Sequence, residues 1–132
     1  MVDLLGLSLD SKLIDKVLEM GLKETRQHIF NDWADTLLNK DWESCDTCAI
    51  LLVHTLSNDS EERKTLEGWI DHVKQTYDIE TQKLQDLINA QNNPFQREEL
   101  KKKKPELDEW RANEIHNKFF FIFKDRNLID AT

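Results

Sequence analysis

The stretch from Ser60 to Ala90, SEERKTLEGWIDHVKQTYDIETQKLQDLINA, decides the fold. Leu66, Ile70, Val73, Tyr77, Glu80, Leu84 and Leu87 follow one another at intervals of 4-3-4-3-4-3 residues. That is a heptad seam with a single polar position, Glu80, and it predicts one long helix over 60–90 acting as a hairpin arm or short coiled coil. Glu61 and Glu62 fall in its first turn, where carboxylates suit the positive end of the helix dipole. Asn92-Asn93-Pro94 ends it, because proline cannot continue the hydrogen-bonded ladder.

Downstream, a short basic stretch from Arg97 to Lys104 leads to Pro105, which fits the first turn of a final helix. Leu107, Trp110, Ile115, Phe119 and Ile122 lie on that helix. The run Phe119-Phe120-Phe121-Ile122-Phe123 could fill both faces of a buried strand, with Ala49–Val53 as its partner. A two-stranded sheet has little stability of its own, and a helical pattern leads directly into the run, so helix is the expectation. Upstream, Leu4–Leu9 is an apolar leader and Asp10 or Ser11 can cap a first helix. That helix carries Leu13, Ile14, Val17, Leu18 and Met20 and should end at Gly21. A second helix is expected from about Lys23 to Leu38, with Phe30, Trp33, Ala34, Leu37 and Leu38 inward and Asp32 and Asp35 toward solvent. Lys40-Asp41 is a short connection, and Asp41 can cap a third helix bearing Cys45, Cys48, Ala49, Leu51, Leu52 and Leu56. The sum is an all-α bundle of about five helices, one long, read as a single domain over residues 1–132.

Composition agrees. The 132 residues include only three Gly and two Pro, which favours long regular elements over a turn-rich β fold. No apolar run reaches the roughly 18–20 residues needed to cross a bilayer. The first residues lack the basic segment of a secretory signal, and with two cysteines this points to a reducing, cytoplasmic setting. The net charge of −8 argues against direct binding to nucleic acid or to an anionic membrane, both of which require clustered Lys and Arg.

That charge is unevenly placed. Residues 1–62 hold 13 acids and 5 bases, a balance of −8, whereas residues 63–132 hold 13 of each. The acids concentrate around Trp33 and Trp42. Carboxylates around an aromatic are suited to steering a basic protein partner and then anchoring it. Asp35, Asp41, Glu43 and Asp46 are the candidate polar contacts and Trp42 the candidate anchor. The function favoured on these grounds is non-catalytic: an acidic inhibitor, immunity-like or anti-defence-like in physical character, binding a basic or nucleic-acid-binding protein. No cofactor or metal is expected.

Other features point elsewhere. Cys45-Asp46-Thr47-Cys48 has redox spacing, but Glu43 and Asp46 oppose thiolate formation, and two small core side chains explain it as well. No second C-x-x-C pair or spaced histidine pair completes a zinc site. Arg111-Ala112-Asn113-Glu114-Ile115-His116 resembles the R-x₄-H motif of HEPN-family ribonucleases. The resemblance implies metal-independent RNA cleavage at sites paired across a dimer, with Arg111 stabilising phosphate charge and His116 acting as acid or base. Leu13–Leu22 resembles the first helix and Met-Gly-Leu loop of ubiquitin-associated domains. A third function class is structural, with the heptad seam Leu66–Leu87 serving self-association as a homodimer.

Overall fold

The computed structural model describes residues 11–130, with side chains from Glu19 onward. The leader Leu4–Leu9 and the side chains of Leu13, Ile14, Val17 and Leu18 lie outside that description. The fold is all-α: α1 is Ser11–Leu38, α2 Trp42–His54, α3 Glu61–Ala90, α4 Pro94–Lys101 and α5 Lys103–Asp125. The first two expected helices are one, so the five expected helices become four, and the short α4 is an addition before the last.

Gly21 does not end α1. It is exposed, and a Cβ there would meet nothing within 4 Å. A glycine inside a helix costs only about 0.5–1 kcal/mol relative to alanine, less than the packing of the inward residues that follow it. The Met-Gly-Leu loop of the ubiquitin-associated resemblance is therefore not formed. The basic stretch before Pro105 is helical for most of its length. Pro94 stands in the first turn of α4, and the Asn93 side chain accepts the N–H groups of Phe95 and Gln96 at 2.9 and 3.3 Å. Its lysines pair one turn back, Lys101 with Glu98 at 3.2 Å and Lys102 with Glu99 at 3.0 Å. Such exposed pairs contribute only a few tenths of a kcal/mol each, but they offset two of the run's five positive charges.

The helices assemble as two antiparallel hairpins. In the first, Thr36 of α1 meets Cys45 of α2, and Arg26 meets Thr55 just past the end of α2. In the second, the Trp69 indole N–H of α3 donates to the Glu114 carbonyl of α5 at 3.1 Å, and the Tyr77 hydroxyl bonds Asp108. Cations on α5 lie over aromatic rings of α3 at seven-residue intervals. Lys118 stands 5.1 Å from the Trp69 ring, with Arg111 at 4.8 Å and Lys104 at 5.2 Å from Tyr77. The heptad seam pairs with α5 of the same chain. It drifts along its length: Leu66, Val73 and Leu84 are buried, but Leu87 is exposed and Ile88 takes its place. A straight helix of 3.6 residues per turn moves about 20° per heptad, which accounts for the change.

The core lies where the hairpins meet. The Trp33 ring of α1 lies 5.4 Å from Phe119, and Phe30 lies 5.3 Å from Phe123. The phenylalanine run is helical, with Phe119, Ile122 and Phe123 inward and Phe120 and Phe121 exposed. Leu38, expected on the inward face, is 81% exposed, because it closes the last turn of α1 at the corner.

One polar residue sits inside this packing. Arg26 is only 2% exposed. Its Nε donates to Thr55 Oγ1 at 3.1 Å and Nη2 to the Thr55 carbonyl at 2.9 Å. Nη1 donates to the Leu128 carbonyl at 3.1 Å and to Glu19 at 3.2 Å. Leu128 is delivered by a left-handed turn, with Asn127 at φ 56° and the Leu128 N–H bonded to the Phe123 carbonyl at 2.8 Å. Asparagine tolerates that conformation better than most residues.

Arg26→Met should destabilise the protein by about 2–4 kcal/mol, because buried carbonyls lose their donors; urea unfolding measures it. Gly68, exposed in the middle of α3 with nothing within 4 Å of a Cβ, should behave oppositely. Gly68→Ala is expected to stabilise by about 0.5–1 kcal/mol and raise the thermal midpoint.

Candidate interaction surface

The corner between α1 and α2 is built by backbone geometry. The Asp41 N–H bonds the Thr36 carbonyl at 2.9 Å and the Lys40 N–H bonds the Leu37 carbonyl at 3.2 Å, with Lys40 left-handed at φ 56°. This is a Schellman closure with lysine where glycine is usual. Asp41 then caps α2 as its sequence position suggests: its carboxylate accepts the Ser44 N–H at 3.2 Å and the Ser44 hydroxyl at 2.7 Å. Three residues thus reverse the chain and place Asp35, Leu38, Asp41 and Glu43 on one exposed corner. Asp32, one turn before Asp35, is exposed as well.

Trp42 and Asp46 sit differently. Trp42 is half-buried and packs against the core, so part of its ring supports the corner from beneath. Asp46 turns into the α2–α5 interface, where its carboxylate receives Arg111 Nη2 at 3.1 Å. Burial holds the Asp46 carboxyl above the usual range, with the charge of Arg111 opposing that shift. Asp46 lines a cleft of about 230 Å³ with Lys74, Arg111, Ile50 and Ile70, apart from the exposed acids.

Arg111 and His116 do not converge within one chain. Arg111 reaches Asp46 on α2 and the Tyr77 ring on α3. His116 packs on the aromatic rings of α1, 5.0 Å from Trp33 and 6.1 Å from Phe30, and stacks on Phe120. Five residues along a helix turn about 500°, which sends the two side chains to different neighbours. Burial pushes the His116 imidazole below its ordinary value, with its bond to Asn117 opposing the shift.

Cys45 and Cys48 are both free and buried. Burial raises both thiols, and Cys45 Sγ lies 3.2 Å from the Thr36 hydroxyl. They behave as core side chains at the α1–α2 contact. Among the described residues no group of three or more His, Cys, Asp or Glu side chains could hold a metal ion, and no helix is long and apolar enough to cross a membrane.

No local signal marks Leu38 as exposed, since its spacing from Trp33 and Leu37 places it inward. The recruitment of Asp46 by Arg111 joins residues 65 apart and has no local signature. No family model matches the chain, and comparison with curated proteins and with solved structures yields no match.

The buried imidazole predicts a pH dependence of stability. Its folded pKa lies below the unfolded value of about 6.5, so between the two the unfolded state binds more protons. Stability therefore falls as pH drops from about 7 toward 5. His116→Gln should flatten this dependence, measured as the difference in urea midpoint between the two proteins across the range.

Proposed function

We infer that this chain is a non-catalytic binding protein that presents the acidic α1–α2 corner to a basic protein partner. The observation that carries the reading is the division of its acids. Glu19 is taken up by Arg26, Asp46 by Arg111 and Glu62 by Arg126 at 3.8 Å. Asp32, Asp35, Asp41 and Glu43 are exposed, form no ion pair among the described residues, and fall within residues 32–43 with exposed Leu38 and one base, Lys40. Unpaired carboxylates raise the encounter rate with a cationic surface, and an exposed leucine beside them supplies apolar area once contact is made. Asp35, Asp41 and Glu43 are the polar contacts of this reading, Leu38 its apolar contact, and Trp42 the support that fixes the corner. Asp46 contributes through Arg111, by holding α2 against α5. An acidic inhibitor of a nucleic-acid-binding protein, immunity-like or anti-defence-like, is the relation such a surface serves.

The test uses the immobilised full chain to capture proteins from a lysate of its native host at low and high salt. Captured proteins should be Lys- and Arg-rich and should be lost as salt rises. The variant combining Asp32→Asn, Asp35→Asn and Glu43→Gln should fold normally by circular dichroism and retain roughly tenfold less of the same proteins. Equal capture by that variant would overturn the reading.

A further inference from the structure

Past the α1–α2 corner, α3 and α5 continue as a two-helix arm. Asp46, in the second turn of α2, is level with Arg111, so α5 from Lys103 to Trp110 and α3 beyond Tyr77 reach past the start of α2. The arm carries its own small apolar seam, and Leu84 and Ile88 are buried there without belonging to the main core. α4 packs against both helices at the tip, and between α3 and α5 the seam opens into a groove of about 490 Å³ floored by Leu84, Leu87, Leu107 and Trp110. Leu87 is 58% exposed.

Beside the groove stands an apolar residue with no neighbour to cover it. Phe95, in the first turn of α4 at the arm's tip, is 84% exposed, more than any other large hydrophobic side chain described. Eight residues, about 12 Å of helical rise, separate Phe95 from Lys103 at the groove's edge. A groove and a nearby knob on the same arm form a self-complementary pair, the requirement for a two-fold contact between identical chains.

The charges favour the same partner. The rim holds Glu80 and Lys83 on α3, an exposed pair at 3.4 Å that can exchange partners, and Lys103 and Glu106 on α5. Two acids and two bases leave it neutral, and a two-fold rotation can bring each lysine to a glutamate of the other copy. The net charge of −8 would oppose dimerisation if spread evenly, but it resides in residues 1–62, and residues 63–132 balance at 13 acids and 13 bases. Arm-to-arm contact therefore joins neutral surfaces.

We propose that the α3–α5 groove is a homodimer interface, in which Phe95 of each copy enters the groove of the other. A buried phenylalanine removes about 150–250 Å² from water, so two symmetric insertions supply the apolar centre of a contact whose rim is ion-paired. The proposal uses none of the residues assigned to the acidic corner, so either reading can fail alone.

Analytical ultracentrifugation over a concentration series tests it on the full chain. The wild type should rise from 15.6 kDa toward twice that mass and stop there. Phe95→Ser and Leu87→Ser, both at exposed positions, should each weaken self-association roughly tenfold without loss of helix. A charge exchange adds a gain of function. Lys83→Glu with Lys103→Glu, and separately Glu80→Lys with Glu106→Lys, should each remain monomeric, whereas an equal mixture should form a heterodimer. A wild type that stays at monomer mass, dimers that persist in both serine variants, or a mixture that does not pair would overturn the proposal.

Discussion

The architecture depends on one buried guanidinium. Arg26 lies on α1, yet its donors go to the residue that ends α2 and to the turn that follows α5. Without that fork, the partly buried Thr55 and Leu128 carbonyls would lose their side-chain donor. Lysine would not replace it, because a single ammonium cannot address the Thr55 hydroxyl, the Thr55 carbonyl and the Leu128 carbonyl in one plane. Aromatic packing fills the space between the hairpins, but such packing tolerates small slides. The directed hydrogen bonds of Arg26 set the level at which α1 stands against α2 and α5.

The same logic divides the charged residues into two populations. Some are held by specific partners: Glu19 by Arg26, Asp46 by Arg111, and Lys104 by both Tyr77 and Asp108 at 2.7 and 3.1 Å. Others, on every helix, form no ion pair among the described residues, and Asp32, Asp35, Asp41 and Glu43 at the α1–α2 corner are four of them. Charge asymmetry in the sequence therefore overstates the unpaired acidic surface, since Glu19, Asp46 and Glu62 are neutralised by arginines.

Much of the fold was legible because it is written in local periodicity. The α3 pattern, the Asp41 cap and the inward positions of Phe30, Trp33, Phe119 and Ile122 all follow from residues close in sequence. Gly21 misled because a breaker acts only where packing on either side is weak, and packing is a tertiary property. Leu87 misled because an idealised seven-residue repeat does not track a straight helix. Leu38 misled because periodicity says which side a residue faces, not whether a neighbour is there. Within the candidate surface, Asp35, Asp41 and Glu43 were identifiable as an acidic group, with Asp35 expected to face solvent. The capture of Asp46 by Arg111 and the role of Arg26 were not, because both join distant helices.

The bond from Arg26 to Leu128 spans 102 residues. An interaction of that span closes a very long loop, so it repays its entropy only after the intervening chain is already ordered. The α1–α2 and α3–α5 hairpins, by contrast, are specified by their own corners and seams. The molecule is thus two locally encoded hairpins that share one core, fastened by a clasp that closes only when both ends of the chain are in place.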